Sequence, residues 1–488
     1  MSFKKYCLGK FFLTVNYLFL STSGFAQFCY AKTIATSSVN FSIINADLNK
    51  DGFEDLASVD MDTLVSILLG DGKGNFTTTG QFNIGAMAMG MSVITQDFNN
   101  DGKLDLAVAD MMNMSVSVLL GNGNGTFGTP ASFPVAPTPY MLVSADFNKD
   151  GKLDIATANN YSSKNVSLLL GNGNGTFADS VNFFVSSSLG TSSIATADFN
   201  KDGKPDLVVG NSDTNYVSVM LGNGLGSFAS ASNLVVGVYL SSWPQSVNCT
   251  DLNKDGNVDI VSANGGDNTV TVLSGRGNGT FASDTSFSVS PSGHQNNFPQ
   301  SVIAADFNGD GKIDLATANL NSYDVSLLLG NGAGGFNAVA SFAASVDPYV
   351  LISSDFNKDT AIDIAVANAD ANKISILLNC PAGKADTIIK IDTVFTGITA
   401  LNQSNGNSLI NIYPDPSNGK FQIAVNNSDL TKNFELEIYN IQGEKVFYLL
   451  TKQLNNSPID ISDQPSGIYV LRLKYENGIT IKKIIIQK

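Results

Sequence analysis

Histidine and tryptophan are nearly absent from this chain: 488 residues hold one of each, His294 and Trp243. Proton-transfer catalysis relies most often on imidazole, so that chemistry starts without its usual residue. Charge is also sparse, at 15% of residues, and basic side chains are the scarcer kind, 28 against 43 acidic, for a net charge of −15 at pH 7. A nucleic-acid partner, which needs a positive surface, is excluded on that balance. There is no Gly-x-Ser-x-Gly elbow, no Cys-x-x-Cys pair and no histidine cluster. Their absence removes the commonest hydrolase, redox and zinc arrangements. The pronounced apolar stretch at residues 11–20 is too short for a membrane helix, so no transmembrane segment is expected.

That stretch follows Lys4, Lys5 and Lys10 and precedes Gly24-Phe25-Ala26, the order of a cleavable export signal over residues 1–26. What the chain has in quantity is glycine (45), with asparagine and serine also plentiful. Such a composition suits many short strands joined by tight turns and suits long helices poorly, so the fold class expected is all-β. Residues 1–26 carry +3 and residues 405–488 carry +1; residues 27–404 therefore hold 16 basic and 35 acidic side chains, a net −19.

An internal repeat organises those acids. The pattern Asp-[Phe/Leu]-Asn-x-Asp-Gly-x-x-Asp starts at Asp47, Asp97, Asp146, Asp198, Asp251, Asp306 and Asp355, at spacings of 49 to 55 residues. Position 3 is Asn49, Asn99, Asn148, Asn200, Asn253, Asn308 and Asn357. Position 5 is Asp51, Asp101, Asp150, Asp202, Asp255, Asp310 and Asp359. Position 9 is Asp55, Asp105, Asp154, Asp206, Asp259, Asp314 and Asp363. About thirty residues after each of the first six starts, a Gly-rich turn ends in Phe76, Phe127, Phe177, Phe228, Phe281 or Phe336. Taken on residues 140–186, one repeat predicts four strands, over 140–146, 153–158, 166–170 and 181–185. Seven such units predict a seven-bladed β-propeller over residues 27–380. The seventh repeat ends after its third strand, and residues 28–36 precede the first repeat where a fourth strand would stand. The N-terminal segment is therefore expected to complete the last blade.

Oxygen side chains at positions 1, 3, 5 and 9, a glycine at position 6 for a sharp turn and a carbonyl at position 7 suit a hard cation, Ca²⁺ above others. The seven loops hold 21 of the 35 acids, so ions bound there would neutralise most of the excess. No Glu stands at position 12 and strand-like residues follow, which excludes an EF-hand. Up to seven calcium ions are expected, the seventh site being the weakest because Thr360 replaces the glycine and a β-branched residue resists positive φ.

These repeats resemble the FG-GAP/VCBS family, which includes the propellers of integrin α-subunits and of many bacterial surface proteins. The resemblance covers residues 28–380 and implies the propeller fold and calcium loops, and it leaves the biochemical role open. Residues 381–404 read as a linker. Beyond it, residues 405–488 predict a compact β-sandwich with strands at 421–425, 434–439, 468–475 and 480–486. The segments Ile412-Tyr413-Pro414-Asp415-Pro416-Ser417-Asn418-Gly419, Ile438-Tyr439-Asn440-Ile441-Gln442-Gly443 and Pro465-Ser466-Gly467-Ile468-Tyr469 resemble the type A C-terminal sorting domain of the type IX secretion system of Bacteroidota. That resemblance implies the secretion machinery as a partner and the outer-membrane surface or the medium as the destination.

An exported chain keeps its cysteines in an oxidising compartment. Cys7 leaves with the signal, and Cys249 stands where other repeats place small residues. Cys29 and Cys380 would sit at facing ends of two antiparallel strands, and a disulfide between them is expected. Every obvious carboxylate cluster belongs to a loop of the repeat, so the function expected is a non-enzymatic, single-chain binding or adhesion module for an extracellular protein or glycan. The alternative is a lectin-like propeller, with Trp243 stacking on a sugar. A propeller-type polysaccharide lyase or hydrolase ranks behind both, since catalytic candidates are missing.

Overall fold

The computed structural model describes residues 28–379 except 37, 62, 161–162, 187–189, 240–241, 283–284, 291–296 and 370, and beyond them the strands between 410 and 486 with residue 461. The export signal at 1–26, the linker at 381–404, His294 and Cys380 lie outside the described residues, and so does the Cys29–Cys380 pairing. The chain divides into two compact units, Met1–Ile388 and Ile389–Lys488. No helix occurs among the described residues.

Among the described residues the first unit is built of seven four-stranded antiparallel sheets. The third is representative: Pro139–Ala145, Asp154–Asn159, Asn165–Leu169 and Val181–Phe184 pair in that order. Each of these strands lies within one residue of the sequence expectation. The second strand of every sheet is buried at all six residues. Other sheets cover both of its faces, so small residues (Ala, Ser, Thr or Gly) are mixed with Ile, Leu or Val where sheets must approach closely. The hydrophobic clusters accordingly draw on two neighbouring sheets at once, as where Ala57, Val59 and Ile67 meet Val93, Leu106 and Val108.

The inner strand of each sheet lies beside that of the next, and Asn40–Ala46 of the first lies beside Pro348–Ser354 of the last. The row of sheets closes on itself, a β-propeller arrangement. Each inner strand carries a bulge at its second residue, which re-aims that side chain. Two such residues, Tyr140 and Tyr349 of the third and last sheets, hydrogen-bond through their hydroxyls, and Phe41 stands edge-on to Tyr349 at 5.0 Å.

Closure depends on the first described strand. Phe28–Ala35 pairs antiparallel with Lys373–Asn379 and completes the last sheet, whose other strands are Pro348–Ser354 and Asp363–Asn368. Where position 2 of the preceding sheet's acidic loop is Phe, the Phe that ends the Gly-rich turn packs edge-on against it, as Phe177 does on Phe98 and Phe228 on Phe147, at 5.7 and 5.5 Å. The sequence after the third strand of the last sheet lacks the Gly-rich turn and its Phe. Phe28 takes its place, meeting Phe307 at 6.3 Å and the outer-strand Phe342 at 4.9 Å. At the other side of the seam Phe76 meets Phe356 at 5.6 Å, and the Gly74 N–H donates to the Phe356 carbonyl at 3.1 Å.

The second unit holds a three-stranded sheet of Ile410–Tyr413, Lys420–Val425 and Ser457–Asp460 and a four-stranded sheet of Lys445–Thr451, Phe434–Tyr439, Gly467–Tyr475 and Gly478–Ile486. Ile459 from the first sheet joins Leu436, Ile438, Leu471, Leu473 and Ile484 from the second in one buried cluster. A partly buried Arg472 pairs with Glu437 across two strands at 3.1 Å.

Candidate metal sites

Each acidic loop joins the first strand of a sheet to the second, and all seven adopt the same conformation. In the loop at 146–154, the two oxygens of Asp146 accept from the N–H groups of Asp150 (3.0 Å) and Gly151 (2.8 Å). Asn148 Oδ1 accepts from the Asp150 N–H at 3.1 Å, and Asp150 Oδ1 accepts from the Lys152 N–H at 3.0 Å. The same set of bonds recurs in the other six loops, the last included, where Asp355 accepts from Asp359 and Thr360 and Asn357 from Asp359. The carboxylates of positions 1 and 5 and the amide of position 3 thus shape the loop themselves, as Asx turns do.

Position 9 does something the spacing alone did not foretell. Asp154 is fully buried; its Oδ2 accepts from the Phe147 N–H at 2.9 Å and its Oδ1 from the Gly171 N–H at 2.8 Å. It ties the acidic loop to the start of the Gly-rich turn, and Asp55, Asp105, Asp206, Asp259 and Asp314 do the same. In the last sheet Asp363 receives the Asn379 N–H instead, at 2.7 Å. Burial raises these carboxyls from 3.8 to about 6 in Asp55, Asp105, Asp154, Asp206 and Asp314, and to about 7 in Asp363. The backbone donors act against that rise, and the carboxylates at positions 5 and 1 add to it. Asp259 shifts the same way.

Among the described residues no three carboxylates, histidines or cysteines stand close enough to hold a metal ion as they are. The donor set nevertheless fits a hard divalent cation. An ionised carboxylate offers about four acceptor sites, so one backbone bond per oxygen leaves capacity for an ion. Three carboxylates per loop press on one another electrostatically, and a cation would relieve the cost at position 9.

The backbone has a further feature that the sequence pattern hid. Position 6 has positive φ, as expected, from 77° to 83° in the glycines of the first six loops. Thr360 takes it too, at 77°, so the last loop keeps the common geometry at the cost of strain. Position 4 is also left-handed, including Lys50, Asn100, Lys149, Lys201, Lys254 and Lys358 at 57° to 62°. That conformation sends several of these side chains to the neighbouring loop: Lys149 Nζ donates to the Gly203 carbonyl at 2.5 Å, and Lys358 Nζ reaches the Gly52 carbonyl at 2.6 Å. The Lys358 contact joins the last loop to the first, and Lys358 also sits 4.5 Å over the Phe53 ring.

Of the other candidate residues, Trp243 is 39% exposed beside Phe298, ring centres 6.3 Å apart, with both residues at positive φ. Cys249 is a free thiol in an inner strand, its pKa raised by burial.

A ring of repeated four-stranded sheets with one acidic loop per sheet, joined to a separate β unit, defines an acidic-loop β-propeller with a C-terminal accessory domain. Sequence comparison gives the family. The FG-GAP-like repeat matches at residues 47–108, 97–157, 146–209, 198–262, 251–317 and 306–366, and the chain belongs to that family. Each match runs from one acidic loop into the next. Residues 411–487 match the secretion system C-terminal sorting domain, the tail that the type IX secretion machinery reads. No curated protein matches the sequence. Among solved structures, a lectin of Agrocybe aegerita that recognises non-reducing terminal N-acetylglucosamine is similar at 20% identity, with a TM-score of 0.46, over 69% of this chain and 87% of that one. BBS1N, solved in complex with ARL6DN, is similar at 13% identity with a TM-score of 0.50, over 72% of this chain and 97% of that one. At such identities the likeness concerns the fold. No helix among the described residues is long and apolar enough to cross a membrane.

Proposed function

We propose that the mature protein is a calcium-loaded, seven-bladed propeller displayed at the cell surface or released from it, acting there as a non-enzymatic binding or adhesion module. The C-terminal unit, a β-sandwich in this reading, is the address that exports it, consistent with the match to a sorting domain. The observation that carries the reading is the sevenfold recurrence of one loop conformation with three carboxylates and an amide in fixed places. In the loop at 146–154 the ligands would be Asp146, Asn148, Asp150, the Lys152 carbonyl and Asp154, and the equivalent residues would serve in the other loops. Hard oxygen donors of this kind select Ca²⁺. The ion's role is structural: it neutralises the loops and fixes the face they form. Since the propeller's carboxylate clusters are committed to these loops, none is left for hydrolysis or elimination.

A lectin-like reading has one observation in its favour, the partly exposed Trp243 beside Phe298, an aromatic pair of the kind that stacks on a sugar.

Titration calorimetry of the mature protein with calcium tests the metal assignment. Six or seven ions should bind, one more weakly than the rest; fewer than about three would be incompatible with equal loops.

A further inference from the structure

The geometry points to a calcium-dependent polyanion-binding face on the second, third and fourth sheets, suited to an acidic polysaccharide outside the cell. The inference rests on the calcium reading above and adds a partner to it. In these three loops position 7 is a lysine, and each lysine holds the position-5 carboxylate of its own loop. Lys103 Nζ lies 3.1 Å from Asp101 Oδ2, Lys152 3.3 Å from Asp150 Oδ2, and Lys204 3.0 Å from Asp202 Oδ2. Position 7 is Phe53, Asn257 and Ala361 in the first, fifth and last loops, and Lys312 in the sixth stands between two loops without a lysine there.

A cation bound in the loop competes for those carboxylates. When the position-5 oxygens turn to the ion, three ammonium groups lose their partners and face solvent together. Two more lysines lie in the same sector, Lys149, which bridges from the third loop to the fourth, and Lys201. The three loops hold nine acids and five lysines, a net −4, and the Gly-rich turns at 121–127, 171–177 and 222–228 add no charge. Three divalent ions bring the sector to +2, so loading reverses its sign. Binding of a charged polymer to such a face is driven by counterion release, which makes it steeply dependent on salt. An acidic polysaccharide fits better than nucleic acid, since the sorting tail exports the chain and the sector's loops and turns present no exposed aromatic ring for base stacking.

Dextran sulfate is the probe, with neutral dextran as the control, and surface plasmon resonance on the mature full-length protein is the readout. The Lys103→Gln/Lys152→Gln/Lys204→Gln variant changes no proposed ligand side chain, so calorimetry on it separates ion binding from polymer binding. In saturating calcium the wild type should bind dextran sulfate at least about tenfold more tightly than in chelator, and less tightly as sodium chloride rises. The variant should bind the same number of calcium ions yet lose about tenfold in polymer affinity. Equal affinity with and without calcium, wild-type affinity in the variant, or a preference for duplex DNA over dextran sulfate would overturn the proposal. Normal calcium uptake without polymer binding removes this inference alone; failure of calcium uptake removes the calcium reading and the inference with it.

Discussion

The most telling single residue is Thr360. It occupies the position that glycine fills in the other six loops and holds φ at 77°, with its N–H bonded to Asp355 Oδ2 at 2.8 Å as a glycine's would be. A left-handed β-branched residue costs on the order of 1–2 kcal/mol, and an introduced glycine gives back part of that through the entropy of the unfolded chain. Thr360→Gly should therefore stabilise the protein by roughly 1 kcal/mol and tighten calcium binding at the last loop, read from the weakest phase of a titration. An unchanged weakest phase would mean that the backbone at position 6 does not set affinity. The threonine was legible as an exception in the sequence. The role of position 9 was not: a ligand and a buried bracket to a later turn leave the same Asp in the pattern, and only the bonds from Gly171 and Phe147 to Asp154 tell them apart.

At the scale of strands, the four-per-repeat reading held because turn glycines and β-branched runs mark boundaries locally. Closure by the N-terminal strand was legible too, since the seventh repeat visibly lacks a strand. What could not be read was that Phe28 replaces a turn phenylalanine, because that equivalence joins residues far apart in sequence and exists only in space. Phe28 is buried at 4% exposure and touches two rings. Phe28→Ala should cost about 3–5 kcal/mol, whereas Phe184→Ala, at a ring 66% exposed on an outer strand, should cost little. Comparable shifts in denaturation midpoint for the two variants would show that the first strand does not bear on closure. In the C-terminal unit the expectation matched Lys420–Val425, Phe434–Tyr439, Gly467–Tyr475 and Gly478–Ile486 and missed Ile410–Tyr413, Lys445–Thr451 and Ser457–Asp460. Two of these are only four residues long, which leaves little room for an alternating pattern to register.

Over the whole molecule, charge is the organising quantity. Residues 27–404 carry a net −19, and most of the acids stand in loops where position 9 is desolvated. Without metal the folded chain holds protons that the unfolded chain has released, since burial raises the position-9 carboxyls from 3.8, to about 6 in Asp55, Asp105, Asp154, Asp206 and Asp314 and to about 7 in Asp363. Stability of the metal-free protein is therefore greatest below about pH 4 as far as these groups are concerned, and it falls as pH rises through 6. Calcium should cancel that loss by binding the folded form. The most direct test is thermal unfolding of the mature protein at pH 7.5 and pH 5, each with calcium and with excess chelator. The account predicts a large drop in melting temperature on chelation at pH 7.5 and a smaller one at pH 5, where the buried carboxyls are mostly protonated. A melting temperature indifferent to chelator at pH 7.5 would contradict it.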